Sequence, residues 1–219
     1  MELKAIFFDF DGTLLNSEIF YQKFWIEASA FYGFKMEAKD HLNLRSLDRS
    51  LADQYLKERF GPTADYKLIH DKRVELMDEY LKTNRLELKE FAKETLQYIN
   101  KELKIPCYIV SSSSKEYVES NCVNHDLMPY IKEIISVHGL KRGKPYPDVY
   151  LKALEIARLN KDEVVVVEDS PNGVRSAYAA GIKTIFIKDL SEADEEVKNK
   201  TIYQLDNIKE LSQILRSDL

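Results

Sequence analysis

The sequence predicts an α/β fold: a doubly wound, mostly parallel sheet with an α-helical cap subdomain inserted after the first strand. Three observations carry that expectation. Short β-branched or aromatic runs alternate with helical stretches, the pattern of a parallel sheet wrapped by helices. The runs are almost wholly apolar rather than alternating, as strands covered on both faces require. Roughly ninety residues separate Phe8 from Cys107, where one strand-helix-strand unit needs about thirty, so something is inserted between them.

The first strand is residues 5–8, Ala-Ile-Phe-Phe. Residues 16–86 carry no strand signal and show helical periodicity instead: Phe20, Phe24 and Phe31, then Leu47, Leu51 and Tyr55, then Val74, Met77 and Leu81. Breakers at Gly33 and Gly61-Pro62 divide this stretch into about three helices. The cap is therefore assigned to 16–86 and the core to 1–15 and 87–219. Residues 88–103 form an amphipathic helix that returns the chain to the sheet. The remaining strands are 107–110, a weaker run at 134–137, 164–167 and 184–187, which makes five.

The composition narrows the function classes. With 219 residues, 44% hydrophobic and 32% charged, the chain has ample material for a core and is unlike a disordered protein. Lys and Arg number 32 against 37 Asp and Glu, so the net charge of −5 provides no overall field for nucleic acid. No apolar run approaches the ~18 residues of a membrane span, and a cytoplasmic protein is expected. Cys107 and Cys122 have no second pair beside them, which argues against a disulfide framework and a thiolate metal site; both read as buried thiols. Oligomeric state is not legible.

The chemistry concentrates at strand ends. The first strand runs into Asp9-Phe10-Asp11-Gly12-Thr13, and residues two apart in an extended segment face one side. Gly12 permits a close turn there. Alone, such a pair is equally a turn in which Asp side chains bond backbone amides. The second strand runs into Ser111-Ser112-Ser113-Ser114-Lys115, hydroxyls at a helix start that suits an anion such as phosphate; capping accounts for one serine, not four. The fourth strand ends in Glu168-Asp169-Ser170. Lys144 stands in Gly143-Lys144-Pro145-Tyr146-Pro147-Asp148, where prolines fix the backbone around it. Strand carboxyl ends in open α/β sheets converge on one crevice, so Asp9, Asp11, Ser112 and Asp169 are expected to share a site. Four carboxylates there (Asp9, Asp11, Glu168, Asp169) call for a cation, and oxygen donors select a hard one, Mg²⁺. With a hydroxyl, a lysine and helix N–H groups, the pocket binds a phosphoryl group and leaves a carboxylate to attack phosphorus.

These residues resemble the haloacid dehalogenase superfamily of Mg²⁺-dependent phosphotransferases, in its helical-cap subfamily. Phe7-Phe8-Asp9-Phe10-Asp11-Gly12-Thr13-Leu14 is similar to the first family motif, Val110-Ser111-Ser112 to the second, Gly143-Lys144-Pro145 to the third and Val167-Glu168-Asp169-Ser170 to the fourth. The resemblance implies Asp9 as nucleophile and metal ligand. It implies Asp11 as general acid and base, its backbone carbonyl also offered to the metal. Ser112 and Lys144 would bind the phosphoryl group, Asp169 would hold Mg²⁺ directly, and Glu168 would act through water. Gly12 and Ser113 are assigned to substrate binding beside them. The branch most similar contains β-phosphoglucomutase and small sugar-phosphate phosphatases. Where its mutases carry a histidine in the first cap helix, an ungapped count from Asp9 places Tyr21, so a phosphatase acting on a small phosphorylated metabolite through an aspartyl phosphate is expected. A phosphosugar mutase is the alternative.

Arg45 and Arg49 lie four apart on an expected cap helix and offer a grip for a distal anionic group of the substrate. Trp25, with Phe20, Tyr21 and Phe24, reads as cap core before it reads as a substrate patch. His41, His70, His125 and His138 are scattered and read as surface or capping residues. A non-enzymatic reading also exists, because receiver domains place Asp residues, a hydroxyl and a Lys around Mg²⁺ on a doubly wound sheet. The acidic doublet after the fourth strand and the helical insertion oppose it.

Overall fold

The structure is a computed structural model and describes residues 2–137 and 139–217. The chain begins with β1 (Ala5–Phe8), then crosses into four helices, α1 (Glu18–Phe31), α2 (Ala38–Leu44), α3 (Arg49–Phe60) and α4 (Tyr66–Leu81). It returns through α5 (Ala92–Lys101) to β2 (Cys107–Ser111), α6 (Lys115–Asn124) and β3 (Ile131–Ser136). The remainder is α7 (Asp148–Ala157), β4 (Val164–Glu168), α8 (Pro171–Ala179), β5 (Lys183–Ile187), α9 (Glu195–Lys200), β6 (Tyr203–Leu205) and α10 (Leu211–Ser217). The six strands are parallel in the order β3-β2-β1-β4-β5-β6.

β1 is therefore central, flanked by β2 and β4, the two strands whose ends carry the serines and the acidic doublet. β1, β2 and β4 are buried on both faces, and apolar clusters cover each side: Ile6, Phe8, Val165 and Val167 on one, Phe7, Val164 and Val166 on the other. This alternation of partners within all-apolar strands is what packing helices on both faces demands. Among the described residues there are six strands, against five expected. The extra one, β6, has three residues and no β-branched run, so composition alone does not mark it.

Four helices replace the three expected between β1 and α5. The unforeseen break lies between α2 and α3, where Ser46 takes a left-handed backbone (φ 53°) and Asp48 caps α3 through Ser50 N. These helices share their own apolar cluster, with Trp25, Leu44, Leu56 and Ile69 at its centre. The chain leaves and returns side by side: Lys89 N donates to Leu14 O at 2.9 Å and Asn16 N to Glu87 O at 2.8 Å. The helix expected over 88–103 starts at Ala92, because Leu88 bridges to Leu15 and Phe91 is left-handed (φ 64°). Cys107 and Cys122 are buried and free. No helix among the described residues is long and apolar enough to cross a membrane.

Candidate active site

The loops after β1, β2 and β4 meet at the carboxyl edge of the sheet, and the floor they form is built around one buried lysine. Lys144 Nζ donates to Asp9 Oδ1 at 2.6 Å and also to Glu168 Oε1, with no part of the lysine side chain exposed. Burial pulls the ammonium down, but the two carboxylates outweigh it and hold Lys144 above its ordinary value. Burial likewise pushes the Asp9 carboxyl upward, reinforced by Glu168 and Asp11 and opposed by Lys144.

Glu168 has no free face. Tyr150 OH donates to Oε1 at 2.8 Å, while Ser170 Oγ and the Asp169 and Ser170 amides converge on Oε2 at 3.1–3.3 Å. Gly173, in the first turn of α8, leaves the room: a Cβ there would lie 1.8–2.1 Å from the Glu168 carboxyl atoms. Gly173→Ala should accordingly cost about 3 kcal/mol in urea unfolding, since the carboxyl it meets is pinned by several bonds. A change below about 0.5 kcal/mol would refute this packing account. Gly12 plays the same part toward Asp169, with a left-handed backbone (φ 86°) and a Cβ position 2.2 Å from Oδ2.

The acidic pair divides its labour by environment. Asp11 Oδ1 accepts from Ser17 Oγ at 2.7 Å and Tyr117 OH at 3.3 Å, and Oδ2 accepts from Ser113 Oγ at 2.6 Å. Tyr117 is in turn hydrogen-bonded to Tyr21. Of the four serines, Ser114 caps α6, Ser111 accepts from Ser113 N and Ser113 holds Asp11. Ser112 Oγ is left buried with no partner. A buried hydroxyl without a partner is costly unless a ligand satisfies it.

The two arginines expected on one face of a cap helix are separated. Arg45 ends α2 and Arg49 begins α3, so the left-handed Ser46 turns them apart. Arg45 is buried against carboxylates: it is ion-paired with Asp169 and with Asp189 at 3.1 Å, and its Nε lies 3.4 Å from Glu18 Oε2. Arg49 is exposed on the cavity wall. The inserted helices touch the lysine loop directly, since Gly143 N donates to Asp48 Oδ2 at 2.7 Å and Asp48 N to Lys144 O at 2.6 Å.

Above the floor is a cavity of about 590 Å³ between the sheet edge and the inserted helices, lined by Asp9, Asp11 and Ser112 below and by Trp25, Arg49 and Arg73 above. The histidines divide: His41 and His70 line this cavity rather than the surface, because α2 and α4 turn those faces inward. Burial, with Arg45 and Arg73 nearby, holds His41 down to about 3, and burial pushes Glu18 up to about 8, so their 3.4 Å contact is not an ion pair at neutral pH. His125 Nε2 bonds Leu86 O at 2.8 Å, and His138 lies outside the described residues. Tyr150 and Arg73 carried no sequence signal, whereas Thr13, which donates to Asp169 Oδ1 at 3.0 Å, stood within the first motif. Asp189, two residues past β5 at the same sheet edge, did carry one by position.

Asp9, Glu168 and Asp169 each offer a carboxylate oxygen, all within 4.8 Å of one another and all buried. That oxygen-only donor set fits a hard divalent cation. The hydrogen bonds already on both Glu168 oxygens suit contact through water better than direct ligation. Asp11 contributes no carboxylate to the triad, its oxygens being held by Ser17, Ser113 and Tyr117.

The chain matches the haloacid dehalogenase-like hydrolase family over residues 6–187 and belongs to it. It is 26% identical over 188 residues to the phosphorylated carbohydrates phosphatase of Thermotoga maritima, covering 84% of each chain. It is 24% identical over 227 residues to the pyrophosphatase PpaX of Bacillus mycoides, covering 98% of each. Among solved structures, CbbY of Rhodobacter sphaeroides in complex with phosphate has a similar fold, with a TM-score of 0.76 at 24% identity over 95% of this chain and 96% of that one. The receiver-domain reading gives way to this family membership.

Proposed function

We propose that the protein is a Mg²⁺-dependent phosphatase that hydrolyses a small phosphorylated metabolite, of sugar-phosphate type, through an aspartyl phosphate on Asp9. The observation that carries this reading is one cavity floor holding the Asp9 carboxylate, the partnerless Ser112 hydroxyl and the buried Lys144 behind Asp9. Two relatives named as phosphatases support it. The cavity, at about 590 Å³, has space well beyond a pyrophosphate ion and so favours the larger carbohydrate class.

Asp9 attacks phosphorus, and the leaving alkoxide takes a proton from Asp11, which then draws a proton from water as that water attacks the phosphoenzyme. Ser113, Ser17 and Tyr117 hold the Asp11 carboxyl in place for both transfers. Ser112 Oγ and Lys144 bind phosphoryl oxygens, and Lys144 favours the ionised form of Asp9 against the burial that disfavours it. A Mg²⁺ ion held by Asp9 and Asp169, with Glu168 behind a water, would neutralise phosphoryl charge. Tyr21 does not replace the mutase-type histidine in proton transfer, because burial and Asp11 raise its phenol above an already high value.

Phosphate release from a panel of sugar phosphates and pyrophosphate, with Mg²⁺ and after exhaustive chelation, tests the proposal. Turnover should vanish on chelation and return with Mg²⁺, while Ca²⁺ should inhibit through its larger, more variable shell. β-Glucose 1-phosphate with a glucose 1,6-bisphosphate primer should yield at least ten-fold less glucose 6-phosphate than the best substrate yields phosphate. Full activity in chelator, or efficient isomerisation with negligible free phosphate, would overturn it.

A further inference from the structure

Resting on the phosphatase reading, a second feature of the same cavity narrows the substrate. Its lining is rich in basic side chains. Asp9 and Asp11 lie at the sheet edge; the cap helices supply Arg45, Arg49 and Arg73 beside Glu18 and Asp48, and the lysine loop supplies Lys141 and Arg142. Of these, Arg45 is ion-paired with Asp169 and Asp189, Arg142 with Asp148, and Asp48 is engaged by Gly143 N and by Ser50.

Arg73 is the unusual member. It reaches from α4 over the face of Tyr21, with its guanidinium carbon 5.0 Å from the ring centroid, and 5.8 Å from the Trp25 ring. Its Nε is buried and has no hydrogen-bond partner. Among the described residues no carboxylate pairs with it; its Nη2 meets only His70 Nε2, at 2.9 Å. Burial, then the charge of Arg73, holds His70 down to about 4, so that ring is neutral and its Nε2 lone pair accepts from the guanidinium. The other ring nitrogen faces Asp71, 3.5 Å away, which is consistent with that tautomer. His70 in turn stacks on Tyr66 at 5.4 Å. The arginine is thus positioned by an aromatic wall and one neutral acceptor, with its charge uncompensated. Arg73 is half-buried, and a guanidinium partly withdrawn from water is ordinarily paired with an anion.

The placement of Arg73 sets the span. Tyr21 lies between it and Asp11, its hydroxyl bonded to Tyr117, which donates to Asp11, and its ring beneath the guanidinium. A ligand that meets Asp9 with one end and Arg73 with the other therefore passes along one tyrosine side chain, a length suited to a short carbon skeleton.

We propose that Arg73, assisted by Arg49, is the specificity-determining contact of the cap, and that the substrate carries a second anionic group, phosphate or carboxylate, at the end remote from the phosphoryl group attacked by Asp9. The guanidinium contributes through binding and positions the chain of the substrate; it takes no part in proton transfer.

Three compounds on one six-carbon skeleton test this: sorbitol 6-phosphate with a neutral end, 6-phosphogluconate with a carboxylate, and sorbitol 1,6-bisphosphate with a phosphate. Each is measured as a substrate and as a competitive inhibitor of p-nitrophenyl phosphate hydrolysis. Wild type should favour at least one anionic-ended compound over sorbitol 6-phosphate by ten-fold or more, and the arm that wins identifies the group. In Arg73→Gln that ratio should fall towards unity, mainly through KM or the inhibition constant, and Arg73→Lys should recover part of it. Equal treatment of all three by wild type, or a preference that survives Arg73→Gln, would overturn the assignment. Should Arg73→Gln not fold, the wild-type ratio and the lysine variant decide. No hydrolysis of p-nitrophenyl phosphate or of any sugar phosphate would instead defeat the phosphatase reading itself.

Discussion

Asp9→Asn should lower phosphate release by about 10⁴-fold or more, roughly 5 kcal/mol in barrier, and should abolish acid-stable, base-labile labelling by a ³²P-substrate. An amide is a poor nucleophile, yet its oxygen still accepts from Lys144, so the floor stays assembled. Burial and the neighbouring Glu168 both disfavour a charge on Asp9, and the neutral amide removes that repulsion. The variant should therefore unfold at the wild-type urea concentration or above it. Loss of activity together with loss of stability would mean that Asp9 is structural, and a near-normal rate would remove it from the mechanism. Asp11→Asn should behave differently, slowing both proton transfers while leaving the nucleophile in place.

Lys144→Met carries the second large effect, this time on stability. Deleting the only ammonium between Asp9 and Glu168 leaves two buried carboxylates facing each other without a counter-charge. Breaking a buried pair in this way costs about 3–5 kcal/mol. The pH dependence follows from linkage. In the variant the Asp9 carboxyl, which burial and Glu168 hold above its ordinary value even with Lys144 in place, rises further above its unfolded value, so the folded state binds more protons and its stability falls as pH rises. The deficit relative to wild type should thus be largest near pH 8 and shrink towards pH 5, as read by urea unfolding in the presence of a chelator. A deficit independent of pH would show that lost packing of the long side chain, rather than unpaired charge, explains the effect.

Both expectations concern residues that were legible in the sequence, and the reason is local. Asp9 and Asp11 follow an apolar run that has to be a strand, Ser112 and Asp169 follow two others, and the rule that strand ends meet at one edge needs no tertiary information. Lys144 stood out because two prolines follow it closely and stiffen its loop. The strand order β3-β2-β1-β4-β5-β6 then places β2 and β4 on either side of β1, which is why the four motifs converge.

Where the sequence reading went astray, the missing information was a direction rather than an identity. Arg45 and Arg49 are four apart, and helical periodicity puts such a pair on one face; a single left-handed residue at Ser46 sends Arg45 to Asp169 and leaves Arg49 at the cavity wall. Arg73 carries no signal in the sequence; the packing of α4 against α1 sets it over Tyr21 and Trp25. β6 was invisible because three residues on a sheet edge need no apolar alternation.

The sequence by itself determined the sheet, the inserted helices and the chemical inventory of the floor, since strand burial and strand-end motifs are properties of contiguous residues. Only the tertiary structure decided which charges are paired: Lys144 with Asp9 and Glu168, Arg45 with Asp169 and Asp189, and Arg73, among the described residues, with no carboxylate. Pairing depends on which side chains from distant segments share a dehydrated space, and in that space an ion pair forms or a charge is left waiting for a ligand.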